Sequence, residues 1–190
     1  MPQDYLMLRK TIHRLQPLTD TEFAQFLNRT QRKSYPKRAV LLRAGEVCRG
    51  IYFIESGVVG LHHEVDGKEI FQDFFLETAF ATDIASLTSQ TPARRALVAI
   101  EPVSAIYCSR AALLELYAVS PNFREFGRKL LENLLVVQTD QTATYLTLDA
   151  RARYARLLNE RPEWIQRIPL QYLATYLGVA RETLSRLRRG

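Results

Sequence analysis

Cysteine is scarce in this chain: Cys48 and Cys108 are the only two among 190 residues, and they lie far apart. Two isolated thiols build no disulfide framework, so packed, reduced thiols in a cytoplasm are expected. Histidine is almost as rare, with His13 and the adjacent His62 and His63. Neighbours on a strand point to opposite faces, so that pair is not expected to share a metal. No run of about twenty apolar residues occurs, which excludes an ordinary membrane-spanning helix. Met1 to Lys10 lacks the apolar stretch and cleavage site of a secretory signal. There is no phosphate-cradling glycine loop, no Ser/His/Asp set and no Cys/His pair at catalytic spacing, so no catalytic residues are assigned. Low-complexity segments and internal repeats are also missing. What is present is a hydrophobic content of 47%, normal for a folded chain holding one medium unit and a small one.

Lysine is missing altogether from Asp149 to Gly190, where nine Arg face four acidic residues for a net charge of +5. The rest of the chain nets only +1 of the total +6. A basic surface tied to one small terminal region is the electrostatic footprint of phosphate binding. Arginine is the cation that pairs bidentately with phosphate and guanine.

Within this region, Pro169 to Arg189 reads as two short helices about a tight turn. Leu173, Leu177, Val179, Leu184 and Leu187 supply the apolar positions that close two crossed helices. Ala174 is small where the second helix must pass closely. Gly178 falls where the first helix ends and a left-handed cap is needed, and Pro169 suits a first helical turn. On the second helix, Arg181, Glu182, Ser185, Arg186 and Arg189 share a face opposite Leu184 and Leu187. This spacing predicts a helix-turn-helix with its second helix shaped for a DNA major groove. An ordinary helical hairpin with a solvated charged side is the bland alternative.

Upstream, Asp4 to Leu15 reads as a short amphipathic helix, and Thr19-Asp20-Thr21-Glu22 starts another carrying Phe23, Phe26 and Leu27. From Gln31 to about Cys108 the apolar period is two, which predicts short strands in an antiparallel sandwich or barrel. Asp66-Gly67 marks a hairpin between Val58–Val65 and Glu69–Phe75. Ser109 to Ala118 is predicted as a short helix. Ser120 caps a long helix with Pro121 at its first position, running to about Leu146. Phe123, Phe126, Leu130, Leu134 and Val137, continued by Gln141, Thr144 and Leu148, form a seam like that of a coiled coil, expected to pair with a second copy. Asp149 to Asn159 is a further predicted helix, ended at Arg161-Pro162. The linker is placed near Thr147 to Arg151.

The order of these parts, with Ala44-Gly45-Glu46, Ile51-Tyr52-Phe53-Ile54-Glu55-Ser56-Gly57 and Val179-Ala180-Arg181-Glu182-Thr183-Leu184-Ser185-Arg186, resembles the Crp/Fnr superfamily of bacterial transcription regulators over nearly the whole chain. The resemblance implies an α+β fold. Its parts are an antiparallel β-roll of double-stranded β-helix or jelly-roll type with flanking helices, a long dimerisation helix, and a winged-helix-like C-terminal helix-turn-helix. The domain expectation is residues 1–120 for a cyclic-nucleotide-binding-like sensor, 121–148 for the dimerisation helix and linker, and 149–190 for the DNA-binding unit. Carried over by position, Arg181 and Arg186 would contact guanines and Glu182 a cytosine amino group. Ser185 lies on the same face, and Arg188 and Arg189 would touch phosphate. Ala180 replaces the capping Ser that the family often has.

The family's ligand-binding motifs appear in altered form. Thr82 and Asp83 stand at the Gly-Glu pair, Arg94 and Arg95 at the Arg-Ser pair, and Gln138 and Thr139 where the long helix contacts a base. Arg94 keeps the cation for a phosphate, whereas Arg95 would fill space. These changes argue against cyclic AMP held in the usual manner and favour a different small anionic effector, or none. Two isolated cysteines cannot supply the four ligands of an iron–sulfur cluster, and neither haem nor another metal is expected. The implied partners are double-stranded DNA, a second copy of the chain and RNA polymerase. The expected role is a cytoplasmic, homodimeric, sequence-specific regulator that is not an enzyme. The competing class is a ligand-binding β-roll that acts on a protein partner through its terminal helices.

Overall fold

The computed structural model describes residues 5–189. Its elements are α1 (Leu6–Leu15), α2 (Asp20–Leu27), β1 (Thr30–Tyr35), β2 (Val40–Leu42), β3 (Gly50–Ser56), β4 (Val59–Val65), β5 (Lys68–Phe75) and β6 (Phe80–Ala81). There follow α3 (Ile84–Ser89), β7 (Ala96–Ala99), β8 (Val103–Ser109), α4 (Arg110–Val119), α5 (Pro121–Thr147), α6 (Ala150–Glu160), α7 (Pro162–Arg167), α8 (Leu170–Tyr176) and α9 (Arg181–Leu187).

Two four-stranded sheets, β1-β8-β3-β6 and β2-β7-β4-β5, pack face to face, and every pairing is antiparallel. This is the antiparallel sandwich expected from the period of two, in the jelly-roll form that the resemblance implies. The β4–β5 hairpin turns on Asp66 and Gly67, both at positive φ (51° and 73°). Two such residues in succession make the turn whose twist matches the flanking strands. Tyr52, Ile54, Val59, Leu61, Phe75, Leu97 and Ala105 fill the space between the sheets.

One end of the roll is closed by α1, α2, α4 and the start of α5, around Leu8, Ile12, Phe23, Phe26, Leu116, Phe123 and Phe126. Thr19 begins α2 with a reciprocal capping box to Glu22, a device worth about 1 kcal/mol. Glu22 also accepts from Ser120 and Asn122 at the head of α5. The Ser120 hydroxyl, the Thr19 amide and Asn122 hold its carboxyl down at about 2.

Several expectations need correction. The period of two is interrupted by α3, which Asp83 caps by accepting from the Ser86 amide at 3.1 Å. Pro162 follows the end of α6 at Glu160 as expected, but it also begins a helix that was not foreseen. It opens α7 directly after α6, at a first-turn position where its missing N–H costs nothing. Pro169 is the residue before α8, with Leu170 first in the helix. No strand follows β8 among the described residues, so the helix-turn-helix has no β-wing there.

The seam on α5 is divided. Phe123 and Phe126 are buried in the chain's own core, with Leu130 packed against it, so they are not free for a partner. Leu134 and Val137 are half-buried and face a cleft beside the roll. The apolar residues left open on this helix are instead Leu131, Leu135, Val136 and Leu146.

Candidate nucleic-acid interface and effector pocket

The turn before the last helix is built from backbone bonds. Gly178 takes φ +67°, its amide donates to the Thr175 carbonyl at 3.0 Å, and the Val179 amide donates to the Ala174 carbonyl at 2.9 Å. These two bonds are a Schellman cap, which a left-handed glycine completes without strain. A Cβ on Gly178 would also meet the Tyr145 ring at 2.8 Å. Leu173, Ala174, Leu177 and Leu184 are buried, with Val179 and Leu187 packed against them. Ala180 precedes α9 without any side-chain cap bond.

The inward leucines turn the opposite face outward. Arg181, Glu182, Arg186, Arg188 and Arg189 are exposed, and Ser185 is half-buried. Among the described residues, the Arg186 side chain reaches only Thr183 at 3.5 Å, and that of Arg189 only Ser185 at 3.4 Å. Among the described residues, none of Arg181, Arg186, Arg188 and Arg189 has a carboxylate partner.

Other arginines of the same segment are committed to structure. Arg153 donates to the carbonyls of Tyr145, Leu148 and Leu177. Arg156 pairs with Asp140 and Glu160. Arg167 pairs with Glu77 and Glu101. Arg151 and Arg161 are exposed, Arg161 over the Trp164 ring, so the positive charge left without a carboxylate among the described residues lies at the last helix and at these two positions.

Thr82, Asp83 and Arg95, of the expected effector set, lie together at the roll. Thr82 and Asp83 are both buried. Arg95 grips Asp83 through two bonds, Nε to Oδ2 at 3.0 Å and Nη2 to Oδ1 at 2.8 Å, and reaches Gln72 with its third donor at 3.1 Å. Burial opposes ionisation of Asp83, but Arg95 and the Ser86 amide outweigh it and hold the carboxyl below its ordinary value. Thr82 is packed against Cys48, with its hydroxyl donating to the Gly50 carbonyl at 3.1 Å. The cation at this site is thus Arg95, not Arg94. Arg94 is exposed one residue earlier on the strand approach, and only its carbonyl is engaged, by His63.

An open cleft of about 1190 Å³ lies between the roll, α5 and the C-terminal helices. It is lined by Thr82, Arg95 and Gln138 of the expected effector set, but not by Asp83, Arg94 or Thr139. Asp83 sits behind Arg95, and Thr139 points to solvent and back-bonds to the Leu135 carbonyl. Asp73, Gln141, Arg161 and Tyr176 line the cleft without having been singled out as a ligand set. Burial pushes the Asp73 carboxyl up to about 6, against the opposing pull of the Phe74 amide, Gln141, Arg161 and Arg95. Its one visible signal in the sequence is a charge inside the apolar run Ile70 to Phe75.

The histidines separate as strand alternation requires. His62 is buried against Phe71, with ring centres 5.0 Å apart, while His63 is half-buried. Among the described residues, no group of three or more His, Cys, Asp and Glu is placed to hold a metal. Cys48 and Cys108 are both buried and free, and burial pushes the Cys108 thiol up to about 12. None of the described helices is long and apolar enough to cross a membrane.

Residues 32–120 match the cyclic nucleotide-binding domain family. The chain is 26% identical over 183 residues to the cAMP-activated global transcriptional regulator CRP of Pasteurella multocida (strain Pm70), covering 90% of this chain and 87% of that protein. Among solved structures it resembles FixK2 from Bradyrhizobium japonicum, with a TM-score of 0.74 at 21% identity, over 84% of this chain and 83% of that one. It also resembles a Crp/Fnr-family transcriptional regulator from Eubacterium rectale, with a TM-score of 0.71 at 14% identity, over 90% and 82% of the two chains.

Proposed function

We propose that this chain, a member of the Crp/Fnr superfamily with a cyclic nucleotide-binding domain over residues 32–120, is a sequence-specific DNA-binding regulator and not an enzyme. It acts as a homodimer, with α9 of each copy entering the major groove. The observation that carries this reading is the division of the C-terminal arginines. Arg153, Arg156 and Arg167 on α6 and α7 are spent on carboxylates and carbonyls, while Arg181, Arg186, Arg188 and Arg189 are exposed and have no ion pair among the described residues. Leaving four guanidinium groups clustered and unneutralised on one short helix serves a polyanion better than it serves the fold.

Arg181 and Arg186 read guanine edges, Glu182 accepts from a cytosine amino group, and Arg188 and Arg189 bind phosphate. Leu131, Leu135 and Leu146, open along α5, form the contact between copies and set the two recognition helices about 34 Å apart on a near-palindromic site. RNA polymerase is a further partner of such a regulator.

The effector pocket is altered. The Asp83–Arg95 pair satisfies internally the cation that would otherwise meet a ligand phosphate. Cyclic AMP in the usual manner is therefore disfavoured, and any small anionic effector enters by the cleft that Thr82, Arg95 and Gln138 line.

The test is selection of bound duplexes from a random pool, followed by titration of the selected site. Arg181→Ala and Arg186→Ala are each expected to cost about 1–3 kcal/mol on that site while leaving salt-sensitive binding to random duplex largely intact. Equal losses on both duplexes would argue against base reading. Binding to a protein partner with no salt-dependent affinity for DNA would favour the competing reading.

A further inference from the structure

The C-terminal helices have no closed core of their own. Trp164, Leu173, Ala174, Leu177 and Leu184 share one cluster with Val58, Phe71, Phe74 and Ile100 of the roll. Phe74 meets Trp164 edge-on at 5.2 Å, and Phe71 lies 4.4 Å from Tyr172. The Phe71 amide, on β5, donates to the Thr175 hydroxyl on α8 at 3.2 Å. Apolar contact of this kind brings the two parts together but allows rotation and sliding, because it is not directional.

A directional contact sits beside it. Arg167, at the end of α7, donates to Glu77 through two nitrogens at 2.6 and 2.9 Å and to Glu101 at 2.6 and 3.2 Å. The two carboxylates come from different turns of the roll, one following β5 and one between β7 and β8. Glu77 is itself held by the Gly57 amide at 2.8 Å, in the β3–β4 turn. Gly57 cannot be enlarged in place, since a Cβ would lie 2.1 Å from the Pro102 carbonyl oxygen. Three turns at one end of the roll thus converge on one guanidinium. A planar fork bound at both edges admits one orientation, unlike a lysine ammonium.

We infer that Arg167 is the positioning residue that fixes the pose of the recognition helix against the sensory roll, through Glu77 and Glu101. This rests on the DNA-reading proposed above. It adds that the reading unit is locked to the roll at a set angle, so the spacing between half-sites is set by the clamp as well as by α5.

Two measurements on the full-length protein test it. In the first, spin labels at Val65→Cys on the exposed hairpin and Gln171→Cys on the exposed side of α8 report the roll-to-reader distance by pulsed EPR. The native thiols are buried and stay unlabelled. The parent protein is expected to give one narrow distance distribution. Arg167→Gln, and separately Glu77→Gln with Glu101→Gln, should broaden it at least twofold, and Arg167→Lys should fall between. Removing the half-exposed Arg29–Glu115 pair on the far side, by Arg29→Gln, should change nothing.

In the second, affinities are compared on duplexes whose half-sites are moved apart or together by one or two base pairs. The parent should discriminate at least tenfold. Arg167→Gln should discriminate less than threefold while its affinity for a single half-site is unchanged. An unbroadened distribution in both clamp variants overturns the inference, as does broadening with spacing discrimination fully retained. If the parent protein binds no duplex, the proposed function falls, and the distance measurement alone decides whether the clamp holds the pose.

Discussion

Asp83 and Arg95 form a buried pair in which each side chain depends on the other. A buried carboxylate held by a fork is tolerable only while its partner remains, because breaking a buried pair leaves an uncompensated charge. Arg95→Ala is therefore expected to destabilise the protein by about 3–5 kcal/mol, measured by urea unfolding, and Asp83→Asn in the same chain should recover much of the loss. Equal losses with and without Asp83→Asn would contradict this coupling. At the head of α9 the opposite change is available. Ala180→Ser supplies the absent cap and should add about 0.5–2 kcal/mol. Asp73 predicts a pH effect. Its folded carboxyl titrates near 6, above its ordinary 3.8, because burial disfavours the charge. Its protonated form is the better accommodated one, so its contribution is complete below about pH 4 and lost as pH rises through about 6. Asp73→Asn should flatten the stability profile across that window. An unchanged slope would exclude Asp73 as its source.

Among elements, those with caps and long apolar periods were legible in the sequence, as were the seven-residue α8 and α9 through their joint turn spacing. Thr19, Ser109, Ser120 and Asp149 announce α2, α4, α5 and α6, and each side chain accepts the expected backbone bond. By contrast α3 and α7 have six residues each, too few for a helical period to stand out. The seam on α5 divides for a different reason. A seam of Phe and Leu at three-four spacing marks an apolar face but does not say what covers it, and here the chain's own helices and strands cover its first part while Leu134 and Val137 line an open cleft. The dimer contact proposed above would then use the neighbouring stripe. Leu135, 65% exposed, and Leu146, 77% exposed, lie three turns apart on it. Leu135→Asp with Leu146→Asp should convert the dimer to monomer in sedimentation velocity without loss of helix content, and an unchanged sedimentation coefficient would exclude this stripe. The same limit applies to the pocket. That Arg95 rather than Arg94 turns inward depends on which face of a strand approach meets the core, and neighbouring arginines do not reveal it. The glycine at the final turn was readable, since the helix-turn-helix spacing left one position for a left-handed residue. Gly178→Ala is expected to weaken the pair by about 1–2 kcal/mol from backbone strain alone, with the Tyr145 contact adding to it.

For the whole molecule, the roll and the C-terminal helices share a hydrophobic cluster, so neither is expected to unfold separately. Phe74→Ala removes a ring packed among Phe71, Trp164 and Tyr176 and should cost about 3–5 kcal/mol. Thermal unfolding followed by tryptophan fluorescence at Trp164 and by circular dichroism should stay coincident in the parent chain. Separate transitions would show that the parts are less coupled than their packing implies. That coupling places the arginine face of α9 on a fixed platform, and the central claim is that this face recognises base sequence. The most direct measurement is fluorescence anisotropy with the selected duplex and a scrambled one, for the parent chain and Arg186→Ala, across a salt series. The account predicts at least a thousandfold preference for the selected duplex, largely erased by Arg186→Ala while the salt slope on scrambled DNA persists. No binding to either duplex at low salt, or equal affinity for both that Arg186→Ala leaves untouched, would contradict it.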